Sequence, residues 1–209
     1  MSPLCVRKLE KDVDYTSTWR AMQDFNASRT PLTCDELWLL EHAPVYTRGR
    51  NAREPAPSGG IPTVDTDRGG DLTYHGPGQL MAYTLFDLAR LGLGVRHLVS
   101  GLETVVIATL AQLGITGHMR PGAPGVYVDD AKIASLGLRI RSGRSYHGLA
   151  LNVAMDLGPF RLIAPCGYQG LKVTQIADCG GPQETAVIAQ ILTQEFLTHF
   201  EFTPNKGRL

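Results

Sequence analysis

Arg68-Gly69-Gly70-Asp71-Leu72-Thr73-Tyr74-His75-Gly76-Pro77-Gly78-Gln79 is the stretch on which the reading of this chain turns. Five of its twelve residues are Gly or Pro. Glycine lets the backbone take positive φ and lets a ligand approach the main chain closely. A core strand would be weakened by that composition, so packing alone does not favour it. A surface turn is the plain alternative, but a turn has no need of Tyr74-His75 directly before it and an apolar strand, Gln79 to Leu85, directly after it. The block reads as a ligand-binding loop.

Around it the chain has the make-up of a water-soluble globular protein. Its 209 residues are 43% hydrophobic and 19% charged, enough for one domain with a substantial core. Twenty basic and twenty acidic residues cancel, so no overall charge draws the chain to nucleic acid or to a membrane. The N-terminus shows no apolar signal region, and no apolar run approaches the length of a bilayer span. Cys5, Cys34, Cys166 and Cys179 are widely spaced with no Cys-x-x-Cys pair, which points to free thiols in the cytoplasm.

Apolar periodicity predicts a helix over 13–26, with Tyr15, Trp19 and Met22 as a core stripe. Strands are expected over 36–41, 45–47 and 80–86, with a long Pro/Gly loop over 48–62. The strongest helix is Val95 to Leu113, with Gly114 as its stop. A run of hairpins follows: 125–128, then 132–140, turning at Arg141-Ser142-Gly143-Arg144 into 145–153. A last amphipathic helix spans 183–196, before a polar tail. Without βαβ regularity this is an α+β fold, its mixed or antiparallel sheets flanked by helices.

Cys166 lies between Pro165 and Gly167, a setting more typical of an exposed loop than of a buried structural cysteine. Lys132 opens a strand whose next residues, Ala134, Ser135 and Gly137, are small enough to floor a pocket. An ammonium there would stabilise a nearby thiolate. His75 and His147 each follow a tyrosine and precede a glycine, and each either orients a ligand, partners a nucleophile or is a hydrogen-bonded core residue. The spacings match no structural zinc signature. Arg139, Arg141 and Arg144 around one hairpin, and Arg48, Arg50 and Arg53 after another strand, read as solvated faces or as docking points for an acidic partner.

Taken together, four segments in this order resemble the octanoyltransferases, also called lipoate-protein ligase B. They are Arg68 to Gln79, Lys132-Ile133-Ala134-Ser135-Leu136-Gly137, Tyr146-His147-Gly148-Leu149-Ala150-Leu151-Asn152-Val153, and Pro165-Cys166-Gly167-Tyr168. Asp71-Leu72 departs from that family's usual Gln-Val or Gln-Ile. The resemblance implies a single catalytic domain over 1–209, with the fold of biotin and lipoate protein ligases. It implies transfer of an octanoyl group from octanoyl-acyl carrier protein to a lysine of a lipoyl domain, in 2-oxo acid dehydrogenases or the glycine-cleavage protein. Cys166 would carry the acyl thioester and Lys132 would lower its pKa. Acyl contacts would fall on Arg68 to His75, Ser135 to Gly137 and Gly148 to Ala150, with His147 in support. No metal or nucleotide cofactor is implied. Two alternatives are an ATP-dependent lipoate or biotin ligase on the same fold, and a non-catalytic module that holds acylated domains.

Overall fold

The computed structural model describes residues 2–53, 55, 57, 59–163 and 172–205. Strands β1 (Pro3–Val13), β2 (Asp35–His42), β6 (Gln79–Leu85), β7 (His118–Met119), β8 (Val126–Val128), β9 (Ala131–Arg141), β10 (Arg144–Asn152) and β11 (Thr203–Pro204) form one sheet. Their order is β11-β1-β2-β6-β10-β9-β8-β7. The β11-β1-β2 edge is parallel and every other pairing in the sheet is antiparallel. A smaller sheet orders β4 (Thr63–Asp65), β3 (Val45–Arg48) and β5 (Leu72–His75) as β4-β3-β5. This is the expected α+β arrangement.

Strand alternation divides the interior into two cores. In β6, Leu80 and Ala82 face one side while Met81 and Tyr83 face the other. Both faces of β6 are covered, so every residue of it is buried, Gln79 and Thr84 included. On the first side lie helices α3 (Val95–Gln112) and α4 (Thr185–His199), which contribute Leu98, Leu102, Val105, Ile188, Leu192 and Phe196 to the larger core. On the second side lies α1 (Tyr15–Ser28), packed through Met22. Its N-terminus is capped by Asp14, whose side chain accepts from Ser17 N at 2.7 Å and satisfies one of the amides left open in a first turn. The short α2 (Leu88–Leu91) follows β6.

The sequence reading changes in two places. The N-terminal segment is an eleven-residue strand, and the tail is not wholly polar: Phe202 is buried against Phe86 and Phe200, and β11 pairs with β1. Among the described residues no helix is long and apolar enough to cross a membrane.

Candidate active site

The glycine-rich loop and β5 stand over the second face of the main sheet and leave a cleft of about 480 Å³, its mouth included. The cleft floor follows from strand register. Gly137 pairs with Gly148 and Ser135 with Ala150 across β9 and β10. Gly148 and Ala150 pair in turn with Tyr83 and Met81 on β6.

Most of the candidate binding residues meet here. Arg68, Gly70, Asp71, Leu72, Thr73 and His75 come from the loop and β5. Ser135, Leu136 and Gly137 come from β9, and His147, Gly148, Leu149 and Ala150 from β10. Gly69 and Tyr74 do not line the cleft. Gly69 instead donates its N–H to Leu138 O at 2.9 Å, fastening the loop to β9. Tyr74 points into the small sheet's own core, edge-on to Phe160. Cys166 lies outside the described residues.

Arg68 organises the loop. Its guanidinium donates to Thr47 O at 2.6 Å, Gly69 O at 2.9 Å and Asp71 O at 2.7 Å, and to Thr47 Oγ1 at 3.0 and 2.8 Å. The guanidinium thereby ties the loop carbonyls of Gly69 and Asp71 to Thr47 on β3. Asp71, whose role the sequence leaves open, takes part through its main chain.

From Thr47 a chain of hydrogen bonds runs beside the cleft, and its direction can be assigned. Asn152 Nδ2 donates to Thr174 O at 2.9 Å, so its Oδ1 accepts from Gln79 Nε2, also at 2.9 Å. Gln79 Oε1 must then accept from His75 Nδ1 at 2.7 Å. His75 Nε2 is left to accept from the Thr47 hydroxyl at 3.2 Å. His75 is therefore neutral with its proton on Nδ1. Burial, the neighbouring His42 and the Arg68 charge all hold its pKa well below the usual histidine value. Both ring nitrogens are occupied, which makes His75 a fixed wall residue and not a free base.

Against it stands a second cluster, joined to the first where the Tyr15 ring stacks on His75 with centroids 5.8 Å apart. His147, only 1% exposed and with φ of 59°, sets Nε2 3.0 Å from Asp67 Oδ1 and Nδ1 3.4 Å from the Tyr15 hydroxyl. Asp67 also accepts from Trp19 Nε1 at 2.8 Å and from the Tyr146 hydroxyl. Burial pushes the Asp67 carboxyl up, but the bonds from His147 and Tyr146 outweigh it and hold the group well below the usual carboxylate range. Burial lowers His147, and the Asp67 bond offsets only part of that. Behind this cluster, burial also takes His42 down to about 4 and Tyr15 up to about 12.

Lys132 reaches the cleft face through a bulge. Val126 pairs with Ala134 but Tyr127 pairs with Lys132, so Ile133 is an extra residue in β9. Ile133 and Ala134 both pack into the helix-side core, which corrects the expectation that Ala134 clears space over the cleft. The slip turns Lys132 to the opposite face, the one shared with Ser135 and Gly137. There it is buried, 2% exposed, with Nζ 5.3 Å from the centre of the Tyr127 ring. Gly125 makes room for it: a Cβ there would stand 2.6 Å from Lys132 Cε. Lys132 is not among the residues that line the cleft; it lies beyond Ser135 along the same face.

Residues 172–174, which follow the Cys166 stretch in sequence, lie beside Lys132. Lys132 N donates to Lys172 O at 2.8 Å, and Thr174 N donates to Lys132 O at 3.0 Å. Of the arginine clusters, Arg144 donates to Asn26 O at 2.8 Å and Arg48 pairs with Asp65 at 3.1 Å, so both hold neighbouring segments.

Sequence reasoning missed Tyr15, Met81 and Tyr83, all of which line the cleft. Tyr15 was assigned to a core stripe. Alternation along β6, which opposes Met81 and Tyr83 to Leu80 and Ala82, was the signal available for the other two.

The sequence matches the family described as Lipoyl protein ligase A/B catalytic domain over residues 14–200. It is 51% identical over 201 residues to an octanoyltransferase of Vibrio campbellii, covering 95% of this chain and 91% of that protein. An octanoyltransferase of Cellvibrio japonicus is 56% identical over 182 residues, covering 86% and 84%. Among solved structures, a bi-partite lipoate protein ligase from Thermoplasma acidophilum superposes with a TM-score of 0.78 at 16% identity, covering 100% of this chain and 87% of that one. Biotin protein ligase from Aquifex aeolicus, in complex with biotin and ATP, gives 0.60 at 11% identity, covering 96% and 70%. These structural likenesses concern the fold. The sequence likenesses go further: the chain belongs to the lipoyl protein ligase A/B catalytic-domain family, among its octanoyltransferases, and is an acyltransferase.

Proposed function

We propose that this enzyme takes an octanoyl group from octanoyl-acyl carrier protein and delivers it to a lysine of a lipoyl domain, by way of a thioester on Cys166. The thiolate attacks the donor's thioester carbonyl, a new carbon–sulfur bond forms and the carrier's thiol leaves. The acceptor amine then attacks the acyl-enzyme, an amide forms and the Cys166 thiolate is released. Dividing the transfer in this way suits a thioester donor and an amine acceptor, since each half-reaction has a competent nucleophile and leaving group. Lys132 stabilises the thiolate and passes the proton between thiol and amine. The octanoyl chain lies in the cleft over the Ser135–Ala150 and Gly137–Gly148 rows.

The observation that carries this reading is the bulge at Ile133, which spends a residue of sheet pairing to turn a buried lysine onto the cleft face. Lys132 is bonded there to residues that follow the Cys166 stretch in sequence. A module that only held acylated domains has no use for that arrangement.

The test is transfer without nucleotide. Purified enzyme, octanoyl-acyl carrier protein and a lipoyl domain should yield a lipoyl domain heavier by one octanoyl group, with no ATP present. A reaction that ran only from free octanoate and ATP would replace this reading with that of a ligase.

A further inference from the structure

We infer that His147 and Tyr15, held by Asp67, form the end wall of the acyl cleft and set the length of chain it accepts. The inference rests on the acyl-cleft reading above and adds a residue-level account of its selectivity. The cleft floor is built of small or apolar side chains in two successive rows, Ser135 with Ala150 and Gly137 with Gly148. In the next row Arg139 pairs with Tyr146. There the character changes: His147 and Tyr15 line the cleft and bond to each other, and behind them Asp67 ties His147 to Trp19 and Tyr146.

That wall can neither move aside nor receive a methyl group cheaply. His147 bridges two partners, and Asp67 takes hydrogen bonds from three side chains besides, Trp19, Tyr146 and Gln23. Pushing an alkyl terminus through would strip the buried His147 ring of its bonds to Asp67 and Tyr15.

The lengths agree with an eight-carbon limit. From Ser135 to Leu138, the partner of His147, the strand advances three residues, roughly 10 Å at ~3.3 Å each. Three bonds of extended chain advance ~3.6 Å, so the seven carbon–carbon bonds of an octanoyl group span roughly 8–9 Å. The eleven of a dodecanoyl group span roughly 13 Å on the same measure. With its carbonyl over Ser135, the shorter chain stops before the wall and the longer one meets it.

His147 also offers a clean way to open the wall. Its φ of 59° is the left-handed conformation, which glycine adopts without strain. His147→Gly removes the ring, and Asp67 keeps its remaining donors. The experiment measures calorimetric affinity for straight-chain carboxylic acids of six, eight, ten and twelve carbons, on the full chain and with no carrier protein. In the wild type, affinity should rise roughly fourfold per methylene up to eight carbons and fall by twelve. In His147→Gly the ratio of twelve-carbon to eight-carbon affinity should rise at least tenfold. Tyr15→Ala opens the same wall from the other side and should move the ratio the same way, so either variant that folds decides the matter.

Wild-type affinity that climbs through twelve carbons would overturn the inference. So would a folded His147→Gly or Tyr15→Ala with the wild-type ratio. Because binding is read without turnover, a protein that ranks acids by length yet transfers no octanoyl group refutes the transferase reading and leaves the end wall standing.

Discussion

Thr174 holds Lys132 and Asn152 together: its N–H donates to Lys132 O at 3.0 Å, and its carbonyl accepts from Asn152 Nδ2 at 2.9 Å. Through Asn152 the bonds continue to Gln79, His75, Thr47 and Arg68. The loop that roofs the cleft and the strand that bears the candidate catalytic lysine are thus joined by one directed chain. Its middle members, Asn152, Gln79, His75 and Thr47, are all buried, so cutting it disturbs several buried polar groups at once.

Asn152→Ala should therefore cost stability and activity together. It removes the donor to Thr174 O and leaves buried Gln79 Nε2 only its 3.5 Å contact with Tyr74 O, at about 1–3 kcal/mol for a buried group left unsatisfied. Urea denaturation should show a lower midpoint, and transfer at saturating donor should slow. A variant as stable and as fast as wild type would mean that Asn152 merely fills space.

The buried histidines predict how the fold responds to acid. His42, His75 and His147 all have folded pKa values lowered by burial, His42 to about 4. Each is harder to protonate in the native state than in the unfolded chain, which takes up its protons once pH falls below the ordinary value near 6.5. The unfolded state then binds more protons, so the stability is whole above about pH 6.5 and falls as pH drops toward 4. The slope is about 1.4 kcal/mol per pH unit for each histidine engaged. Asp67, held low instead, adds its own loss only below about pH 4. Urea midpoints between pH 7 and 4 check this, and a flat profile from pH 6.5 to 4.5 would contradict it.

Gly137 and Gly148 both lie in the cleft floor, but substitution separates them. A Cβ on Gly148 would stand 2.1 Å from Ala82 O, main chain that cannot yield. The sequence suggests that this glycine simply clears room for a ligand; the packing shows that the close approach of β6 also requires it. On Gly137 a Cβ would come 3.1 Å from Gly69 O and 3.2 Å from Arg68 Cδ, toward the loop. Gly148→Ala should lose about 1–3 kcal/mol or more through overpacking. Gly137→Ala should fold and weaken octanoate binding. Thermal melts and calorimetry on the two variants distinguish the cases, and equal stability for both would be the contrary result.

Much of this was legible in the sequence for physical reasons. Residues 131–153 announce a hairpin because the chain alternates about a Ser142-Gly143 turn, where both residues take positive φ, 50° and 73°. The Arg68–Gln79 block stands out because only glycine serves so close a backbone approach. What the sequence hid depends on long-range partners. β1 is an outer strand rich in charge, without the apolar alternation that marks a strand. Tyr15 has the spacing of a core residue, and only the sheet across from it turns its hydroxyl toward His147. Asp67 looks like an ordinary loop carboxylate until Trp19, Tyr146 and His147 converge on it. The bulge leaves no mark at all, since an extra Ile133 is visible only against β8.

Lys132→Arg asks whether the lysine supplies charge alone. Guanidinium keeps its proton, with a pKa above about 12, so arginine can stabilise a thiolate but cannot relay a proton. The expected outcome is a Cys166 that still alkylates readily with iodoacetamide while transfer falls at least a hundredfold, in the range by which general acid–base groups contribute. Lys132→Ala should lose both. Near-normal turnover in the arginine variant would leave Lys132 an electrostatic partner only.

The thioester itself is the central claim, and intact mass spectrometry tests it most directly. Enzyme incubated with octanoyl-acyl carrier protein and no acceptor should gain the mass of one octanoyl group. Hydroxylamine should release it, peptide mapping should place it on Cys166, and a lipoyl domain added afterwards should remove it. An enzyme that transfers octanoyl at full rate as Cys166→Ser, or that never carries the added mass, would contradict the account.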